Sequence, residues 1–497
     1  MTPLFPDFFI EEVVLDDVRV GDKDFTIHYR LDGQPIELGI LYHSIDFAQP
    51  PIDGDMDMLK RFAVSIGVLS FLRFGALLPK RFDVTKHSRW IHPFLLDFLR
   101  RNTYLCWSEH RYQVDRMDYR GPEIVADHGV LGDEAKDVFR GLAPSDTPKV
   151  IVASGSGKDS LLCAKLIEEA NLSYDLVTYL DTLYGDASEQ DQIFSRLSKE
   201  LAYENLHLIT IDNNFNDWLL ARLDQFQVRE QLRAKGITKP FRYEAGETFS
   251  IPLVFALVQL VHNLPAVIVG YEKSADFPNL IHKSTGDEVA HQWAKTHQAE
   301  MENHALLSTL LEGIQTVSVT KPIHDVKIFS KLFEIKDDLP YLTNSCNHKK
   351  PWCCSCEKCA YVFSGFAAFG DHDKTVAAFG EDLFQKESLL HIWSELLGLK
   401  GYIAWECVGH PEETQLYFYK AYKTGITGPA IELFQDKILE PLRQKGVDLD
   451  QHFVTLEEKY MKVHSEHHHM PSWLWQRIQP ILMSTESLNA VESFAMA

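Results

Sequence analysis

The chain has 497 residues, and its 49 lysines and arginines against 71 aspartates and glutamates leave a formal charge of −22. At roughly 100–200 residues per domain, this length predicts two to four domains. Because nucleic-acid binding depends mainly on clustered basic side chains that neutralise phosphates, a charge of −22 disfavours a nucleic-acid partner.

The amino-terminal sequence predicts a cytoplasmic protein without a membrane partner. It carries acidic residues where a secretory signal needs a basic and then an apolar run. The most apolar helical stretch, Ala63 to Leu72, has 10 residues, whereas a membrane span needs about 20. In the cytoplasm, clustered cysteines hold a metal more often than they form disulfides.

Residues 1–140 are predicted to form an α+β amino-terminal domain. An alternating apolar pattern interrupted by the turn residues Asp32 and Gly33 predicts two paired strands. A helix is expected from about residue 55 to 78, and aromatic-rich helices follow around residues 90–101.

Residues 141–345 are predicted to form an α/β domain, introduced by the linker Gly141–Pro148. Strands that alternate with helices indicate a parallel sheet with right-handed crossovers, and ligands bind such sheets beyond the carboxyl ends of the strands. The predicted strands are Lys149–Ala153, Leu176–Leu180, His207–Ile211 and Ala266–Gly270; the predicted helices are Leu161–Ala170, Gln190–Leu201, further helices to about Ala234, and Thr248–His262.

Residues 346–497 are predicted to form a cysteine-bearing, mostly helical region, and the helical pattern begins at about Ala290. The tract His464–His469 is interpreted as a solvated loop, with weak metal binding as the alternative.

A glycine- and serine-rich loop between a predicted strand and a predicted helix is the strongest local signal for function. Its glycines allow close backbone approach to an anion, and the helix N-terminus presents unpaired N–H groups. The serines add hydroxyl donors, the lysine adds a point charge, and the aspartate can hold Mg²⁺. The spacing is not that of a Walker A motif. The loop residues are Ser154, Gly155, Ser156, Gly157, Lys158, Asp159 and Ser160.

Five cysteines fall within 14 residues, and four of them are expected to bind zinc. Two overlapping C-x2-C steps with an upstream cysteine supply four thiolates to a tetrahedral site. The expected ligands are Cys346, Cys353, Cys356 and Cys359, whereas Cys354 is expected to point away. A closed structural site is favoured, with reduced cysteines or an iron–sulfur cluster as alternatives.

The loop resembles the S-G-G-x-D-S loop of the PP-loop ATP pyrophosphatases, which use ATP to adenylate an oxygen and release pyrophosphate. The resemblance implies an adenine nucleotide alpha hydrolase-like sheet that binds ATP and Mg²⁺, with Asp159 as a magnesium ligand. It also implies that Tyr179, Leu180 and Asp181 lie near the adenosine. The segment Gly270–Asp276, with Lys273, would lie near the phosphates.

Further motifs resemble the MurL-type UDP-MurNAc-L-alanyl-L-glutamate epimerases. The matching pieces are Gly157–Ser160; His291, Gln292 and Lys295 with Glu300; Lys321, Pro322 and Ile328; Ser345, Cys346, Asn347, Trp352, Cys353, Cys356, Lys358 and Cys359; and Glu406–Gly409 with Glu412. The resemblance implies an enzyme that adenylates the terminal L-glutamate carboxylate of UDP-MurNAc-L-Ala-L-Glu. The α-carbon is then inverted, and hydrolysis yields AMP and the D-glutamate product.

The acid/base residues of that reaction remain open at this point. His291 and Cys407 are candidates for proton transfer, with a binding or core role as the alternative for each. Lys295 and Lys321 are candidates for binding phosphate or carboxylate, with an exposed surface position as the alternative. Glu406 is a candidate for orienting Cys407, His291 or Mg²⁺.

Two other functions compete with epimerisation. One is a different PP-loop adenylation, such as a deazaguanine nitrile synthase-like or amide-forming reaction, and the other is a non-catalytic ATP-binding module. Under the leading hypothesis, the positive charge that faces ATP and a UDP-sugar is expected on Lys158, Lys273, Lys295 and Lys321. The sequence leaves the oligomeric state undetermined.

Overall fold

The computed structural model describes residues 7–135, 142, 149–181, 187–234, 246–335 and 338–484. The predicted boundary between residues 140 and 141 lies outside these ranges, as does most of the predicted linker. The boundary expected between Ser345 and Cys346 stays a prediction.

The described strands and helices alternate along the first two thirds of the chain, and helices dominate the rest. The strands are β1 (Glu12–Val20), β2 (Asp24–Leu31), β3 (Gln34–Tyr42), β4 (Arg81–Asp83), β5 (Glu123–Val125), β6 (Val150–Ala153), β7 (Tyr174–Asp181), β8 (Leu206–Asn213), β9 (Ala266–Val269), β10 (Leu280–Ile281), β11 (Glu288–Val289) and β12 (Gln315–Ser318). The helices are α1 (Met56–Ser70), α2 (Pro93–Cys106), α3 (Ser108–Gln113), α4 (Lys158–Glu169), α5 (Ala187–Ser198), α6 (Phe215–Gln225), α7 (Val228–Ala234), α8 (Glu247–His262), α9 (His297–Leu310), α10 (Asp325–Phe333), α11 (Glu357–Phe369), α12 (His372–Phe379), α13 (Leu390–Leu396), α14 (Pro411–Lys423), α15 (Pro429–Phe434), α16 (Glu440–Gln444), α17 (Leu449–Met461) and α18 (Ser472–Met483).

A large, mostly parallel sheet organises the protein, as the alternation of strands and helices predicted. Its order is β12-β9-β6-β7-β8-β3-β2-β1-β4-β5, and the five strands from β12 to β8 are parallel. If these five parallel strands are numbered in chain order from β6 (first) to β12 (fifth), their order across the sheet is 5-4-1-2-3. In such a doubly wound sheet the strand order reverses between the first and fourth strands, here β6 and β9, and ligands bind at that crevice.

The amino-terminal strands continue the same sheet. The turn predicted at Asp32 and Gly33 is confirmed, since both residues have positive φ and join β2 to β3. Strand β3 then pairs antiparallel with β8, with Ile40 opposite Ile211.

Two elements differ from the sequence-based expectation. The helix expected over residues 55–78 changes character, because α1 ends at Ser70 and a 3-10 helix continues to Leu77. Strand β12 interrupts a region predicted as mostly helical. It has only four residues of mixed polarity, Gln315–Ser318, so it lacks the apolar run by which the other parallel strands were found.

The carboxyl-terminal part is mainly helical, as predicted. Helices α11 and α17 pack against α10, and α14 packs against α11 and α17. The histidine tract is a loop with Ser465 and Glu466 exposed, as predicted, but its histidines are half-buried against the protein. His464 donates its backbone N–H to the carbonyl of Pro322, and Nδ1 of His467 lies 3.0 Å from Nζ of Lys273. Among the described helices, none combines the length and apolarity needed to cross a membrane.

Candidate active site

A cavity of about 330 Å³ opens at the carboxyl ends of β6, β7 and β9, where the strand order reverses. Its wall includes Leu180, Tyr271, Ser345, Asn347 and Lys358, which belong to the segments compared with the two families. It also includes ten of the residues named as candidates for catalysis, nucleotide binding or metal binding. They are Ser154, Gly155, Ser156, Gly157, Asp159, Ser160, Tyr179, Gly270, Lys295 and Cys407.

The predicted anion-binding loop connects β6 to α4 and is held tightly against the neighbouring strand end. Ser156 has φ of 61°, and Gly157 precedes the first residue of α4. A Cβ placed on Gly270 would lie 2.8 Å from Cβ of Asp159. Only glycine at position 270 lets the end of β9 approach the loop so closely.

Lys158 points into the protein interior and is not among the described cavity-lining residues. Its side chain is fully buried, and Nζ contacts the carboxylates of Asp159, at 2.5 Å, and Asp325. Burial alone would lower the pKa of Lys158, but these two carboxylates outweigh burial and raise it. The ammonium is therefore charged and holds the start of α4 against α10.

Two other predicted lysines also lie outside the set of described residues that line the cavity. Lys321 is fully buried, and its Nζ donates to the carbonyls of Glu272, at 2.8 Å, and Lys295, at 2.6 Å. Lys273 faces the histidine tract, through the His467 contact already given. Lys321 therefore positions the backbone that carries Lys295.

The lysines that line the described part of the cavity are Lys295, Lys350 and Lys358. Nζ of Lys350 donates to the carbonyl of Cys346 at 2.9 Å, and Nζ of Lys358 donates to the carbonyl of Cys407. Of these three lysines, sequence reasoning assigned a binding role only to Lys295, although Lys358 was part of the matching cysteine motif. Lys350 and Lys358 could have been found from their position between the clustered cysteines, because residues within that cluster must lie close to the predicted metal site.

Cys407, His291, Lys295 and Glu109 form a contiguous acid/base cluster beside the cavity. Nζ of Lys295 lies 3.5 Å from Sγ of Cys407, and Nδ1 of His291 donates to Oε2 of Glu109 at 2.6 Å. Ligand atoms of His291, Glu406 and Cys407 lie within 4.8 Å of one another. Sequence reasoning found three of the four members and missed Glu109, which α3 supplies from the amino-terminal part of the chain.

The electrostatics of this cluster favour a thiolate on Cys407. Burial raises the pKa of the Cys407 thiol, but the Lys295 ammonium and the His291 imidazole outweigh burial and lower it to about 7. Burial likewise lowers the pKa of His291, whereas the Glu109 carboxylate and Cys407 raise it well above its usual range. Near neutral pH the cluster holds a thiolate beside an imidazolium and an ammonium.

Glu406 positions Cys407 instead of facing the cavity. Its Oε1 accepts hydrogen bonds from the backbone N–H of Cys407, at 3.0 Å, and from Nδ2 of Asn347, at 3.1 Å. The same carboxylate oxygen lies 3.8 Å from Nε2 of His291. Because Glu406 lies closer to Cys407 than to His291, orientation of Cys407 is the role that these distances favour.

The four cysteines predicted as metal ligands converge, with their sulfurs within 4.8 Å of one another. Sγ of Cys353 and Sγ of Cys359 lie 3.7 Å apart, and sulfurs at 2.3 Å from a tetrahedral zinc ion would be about 3.8 Å apart. Cys354 points away, and its Sγ contacts the carbonyl of Phe379 at 3.3 Å. The donor set and spacing fit a metal ion such as zinc.

The metal site and the cavity share one stretch of chain, the cysteine segment (residues 344–359). Its non-cysteine residues Asn344, Ser345, Asn347, Lys350 and Lys358 line the cavity. Since ligands and lining residues alternate along this stretch, a metal ion bound by the cysteines would hold one wall of the cavity in place.

The doubly wound sheet, the cavity at its crevice and the four converging cysteines together define an α/β protein whose carboxyl-terminal part carries a group that could hold a metal ion. Residues 339–427 match the family described as the MurL C-terminal domain. This match agrees with the resemblance to MurL-type proteins that the motifs of the sequence indicated.

Two curated relatives carry the name UDP-N-acetyl-alpha-D-muramoyl-L-alanyl-L-glutamate epimerase. The protein from Micromonospora sp. is 30% identical over 176 residues, which cover 33% of this chain and 37% of the relative. The protein from Salinispora tropica is 30% identical over 175 residues, which cover 33% of this chain and 36% of the relative. The chain therefore matches little more than a third of the length of these relatives.

Proposed function

We propose that this protein is an ATP-dependent epimerase that inverts the terminal glutamate of UDP-MurNAc-L-Ala-L-Glu in peptidoglycan precursor synthesis. One observation carries the proposal: an anion-binding loop at a helix N-terminus and the Cys407 thiol border the same cavity. The names of the two curated relatives support the substrate.

The proposed ATP site uses the loop and its surroundings. Backbone N–H groups at the start of α4 and the hydroxyls of Ser154 and Ser160 would bind phosphate oxygens. Asp159 would hold Mg²⁺, which neutralises the departing pyrophosphate when bound. Tyr179, at the end of β7, would lie beside the adenosine.

Adenylation solves the chemical difficulty of epimerising a carboxylic acid. The α C–H of a carboxylate is a very weak acid, because removing the proton adds negative charge to an anion. Attack of the carboxylate oxygen on the α-phosphorus of ATP forms an acyl-adenylate and releases pyrophosphate. This step removes the carboxylate charge, so an enolate can form when the α-proton leaves.

We assign the removal of the α-proton to Cys407. It is the member of the acid/base cluster with a pKa near neutrality that also lines the cavity, and a base with its pKa near the working pH is the most effective. Lys295 and His291 stabilise the thiolate, and Glu109 keeps His291 protonated. A proton returned to the opposite face inverts the centre, and water then releases AMP.

The experiment is incubation with ATP, Mg²⁺ and UDP-MurNAc-L-Ala-L-Glu in D₂O. The expected products are AMP, pyrophosphate and glutamate that carries deuterium at the α-carbon. UDP-MurNAc-L-Ala is the control substrate, since it tests whether the glutamate is required. Pyrophosphate release without deuterium would leave an adenylating enzyme and refute epimerisation, and the absence of both would refute the proposal entirely.

A further inference from the structure

Asn344 is a buried residue whose side-chain amide finds no hydrogen-bond partner among the residues that the structure describes. The residue is among those that line the cavity, and it is 2% exposed. Neither Nδ2 nor Oδ1 has a hydrogen-bond partner within the described part of the chain. Because a buried amide without partners destabilises a fold, such a side chain indicates a ligand that supplies them.

The backbone around Asn344 is fixed on both sides. Its N–H donates to the carbonyl of Ser156 in the anion-binding loop at 2.8 Å. Oγ of Ser345 accepts from the backbone N–H of Lys158 at 3.3 Å. The next residue, Cys346, is one of the four converging cysteines. The amide is thus held between the loop and the metal site.

The charge and shape of the cavity select the ligand. Lys295, Lys350 and Lys358 make its wall cationic, which suits a polyphosphate, whereas Val177 and Phe194 offer an apolar part suited to a base. Asn344 lies at the polar end, because its backbone contacts Ser156. An amide there can donate from Nδ2 to a phosphate oxygen and accept at Oδ1 from a water molecule on Mg²⁺.

We propose that Asn344 binds the triphosphate of ATP, with Nδ2 as the donor to a phosphate oxygen. This inference rests on the proposed function, because it takes ATP as the ligand of the cavity. It adds a nucleotide-binding residue from the cysteine segment, which thereby joins the metal site directly to ATP binding.

The test replaces Asn344 with an apolar side chain of similar size, Asn344→Leu. Isothermal titration with α,β-methylene-ATP and Mg²⁺ is expected to show a dissociation constant about tenfold or more above that of the wild-type protein, since a hydrogen bond to a charged oxygen is lost. The unfolding temperature of the ligand-free variant is expected to equal or exceed the wild-type value, because an unpaired buried amide has been removed. If Asn344 had a purely structural role, Asn344→Leu would bind the nucleotide with wild-type affinity and would unfold at a lower temperature than the wild type.

The matched control is Asn303→Leu, because Asn303 is also buried, with Oδ1 unpaired within the described ranges, and lies on α9 away from the described cavity lining. Its dissociation constant is expected to equal that of the wild type. Wild-type affinity in Asn344→Leu would overturn the inference and leave the proposed function standing. Absence of nucleotide binding by the wild-type protein would overturn both. If Asn344→Leu does not fold, Asn344→Asp keeps the shape and is expected to bind the nucleotide more weakly because it adds a negative charge.

Discussion

Glu109 accepts a hydrogen bond of 2.6 Å from His291 although the two residues are 182 positions apart in the chain. Helix α3, which carries Glu109, is fastened to the segment before His291, because the backbone N–H of Ala290 donates to Oγ of Ser108 at 3.1 Å. The amino-terminal part of the protein therefore sets the charge of a histidine that belongs to the α/β part.

Glu109→Gln is expected to raise the pH at which Cys407 ionises. Loss of the carboxylate lowers the pKa of His291, so a neutral imidazole replaces the cation that stabilises the thiolate. The measurement is the rate at which iodoacetamide alkylates Cys407 as a function of pH, followed by mass spectrometry of the peptide that contains Cys407. The wild-type rate should have its inflection near pH 7, and the inflection of the variant should lie about one pH unit higher. Glu288→Gln, at an exposed position of β11, is the control, and an unchanged inflection in Glu109→Gln would contradict the role of Glu109.

Cys407→Ser is expected to separate the two halves of the proposed reaction. A serine hydroxyl is a far weaker base than a thiolate, so deuterium incorporation at the α-carbon should fall by about 10²–10⁴-fold. Substrate-dependent pyrophosphate release should persist, because the anion-binding loop is untouched. Equal loss of both activities would show that Cys407 serves adenylation or folding instead.

Cys356→Ser is expected to abolish zinc binding and weaken nucleotide binding. The wild-type protein should contain about one zinc ion per chain by elemental analysis. In the variant, the cysteine segment loses a ligand, so the wall with Asn344 and Lys350 is no longer held. Cys354→Ser is the matched control because Cys354 lies beside Cys353 but outside the converging group, and its zinc content should match the wild type. A zinc-free variant with wild-type affinity for α,β-methylene-ATP would refute the coupling.

Gly270→Ala is expected to displace the anion-binding loop. Besides the Cβ contact already described, the new methyl group would lie 3.2 Å from the backbone carbon of Asp159, which cannot rotate away. We expect loss of measurable nucleotide affinity in calorimetry, with a lower unfolding temperature. Gly39→Ala is the control, since the nearest atom to its new Cβ is the Asp212 carbonyl oxygen at 3.9 Å, and it should bind nucleotide normally.

Glu300→Gln is expected to change how stability depends on pH. Burial raises the pKa of Glu300 to about 7, although Lys321 lowers it in part. The folded protein thus binds this proton more tightly than the unfolded chain, so Glu300 makes the free energy of unfolding fall as pH rises from about 4.5 to 7. The variant should remove this decline and be more stable than the wild type at pH 8, by up to about 3 kcal/mol in urea unfolding. Glu312→Gln is the control, because Glu312 is exposed and follows α9, the helix that carries Glu300. If the free energy of unfolding of Glu300→Gln declined with pH as in the wild type, the assignment to Glu300 would be wrong.

The sequence predicted those parts of the structure that local pattern determines. Strands β6 and β9 are short apolar runs buried in the sheet, and the cysteine spacing alone restricted the ligands to one group of four. The direction of a lysine is decided by tertiary partners instead. Lys158 points inward because its ammonium pairs with the buried carboxylate of Asp325. The sequence around residue 158 contains no pattern that predicts this distant partner.

Glu109 illustrates the same limit for the candidate site. It is one of 71 acidic residues, and only the packing of α3 against the chain near His291 distinguishes it from the others. Cys407 was selected because it lies in the Glu406–Gly409 motif and a thiolate can act as a base, but its lowered pKa depends on Lys295, 112 positions away. The pKa of Cys407 depends on groups from three segments that are far apart in the chain, so it cannot be predicted from the sequence of any one segment.

The pairing of β3 with β8 has a consequence for the protein when it is divided. A break within residues 136–148 would separate two fragments that each expose a row of unsatisfied backbone groups, one along β3 and the other along β8. Each fragment expressed alone is expected to aggregate through that row, whereas the two expressed together should reassociate and recover the cavity. The amino-terminal strands are thus expected to shield the half that carries the cavity from self-association, in addition to supplying Glu109 through α3.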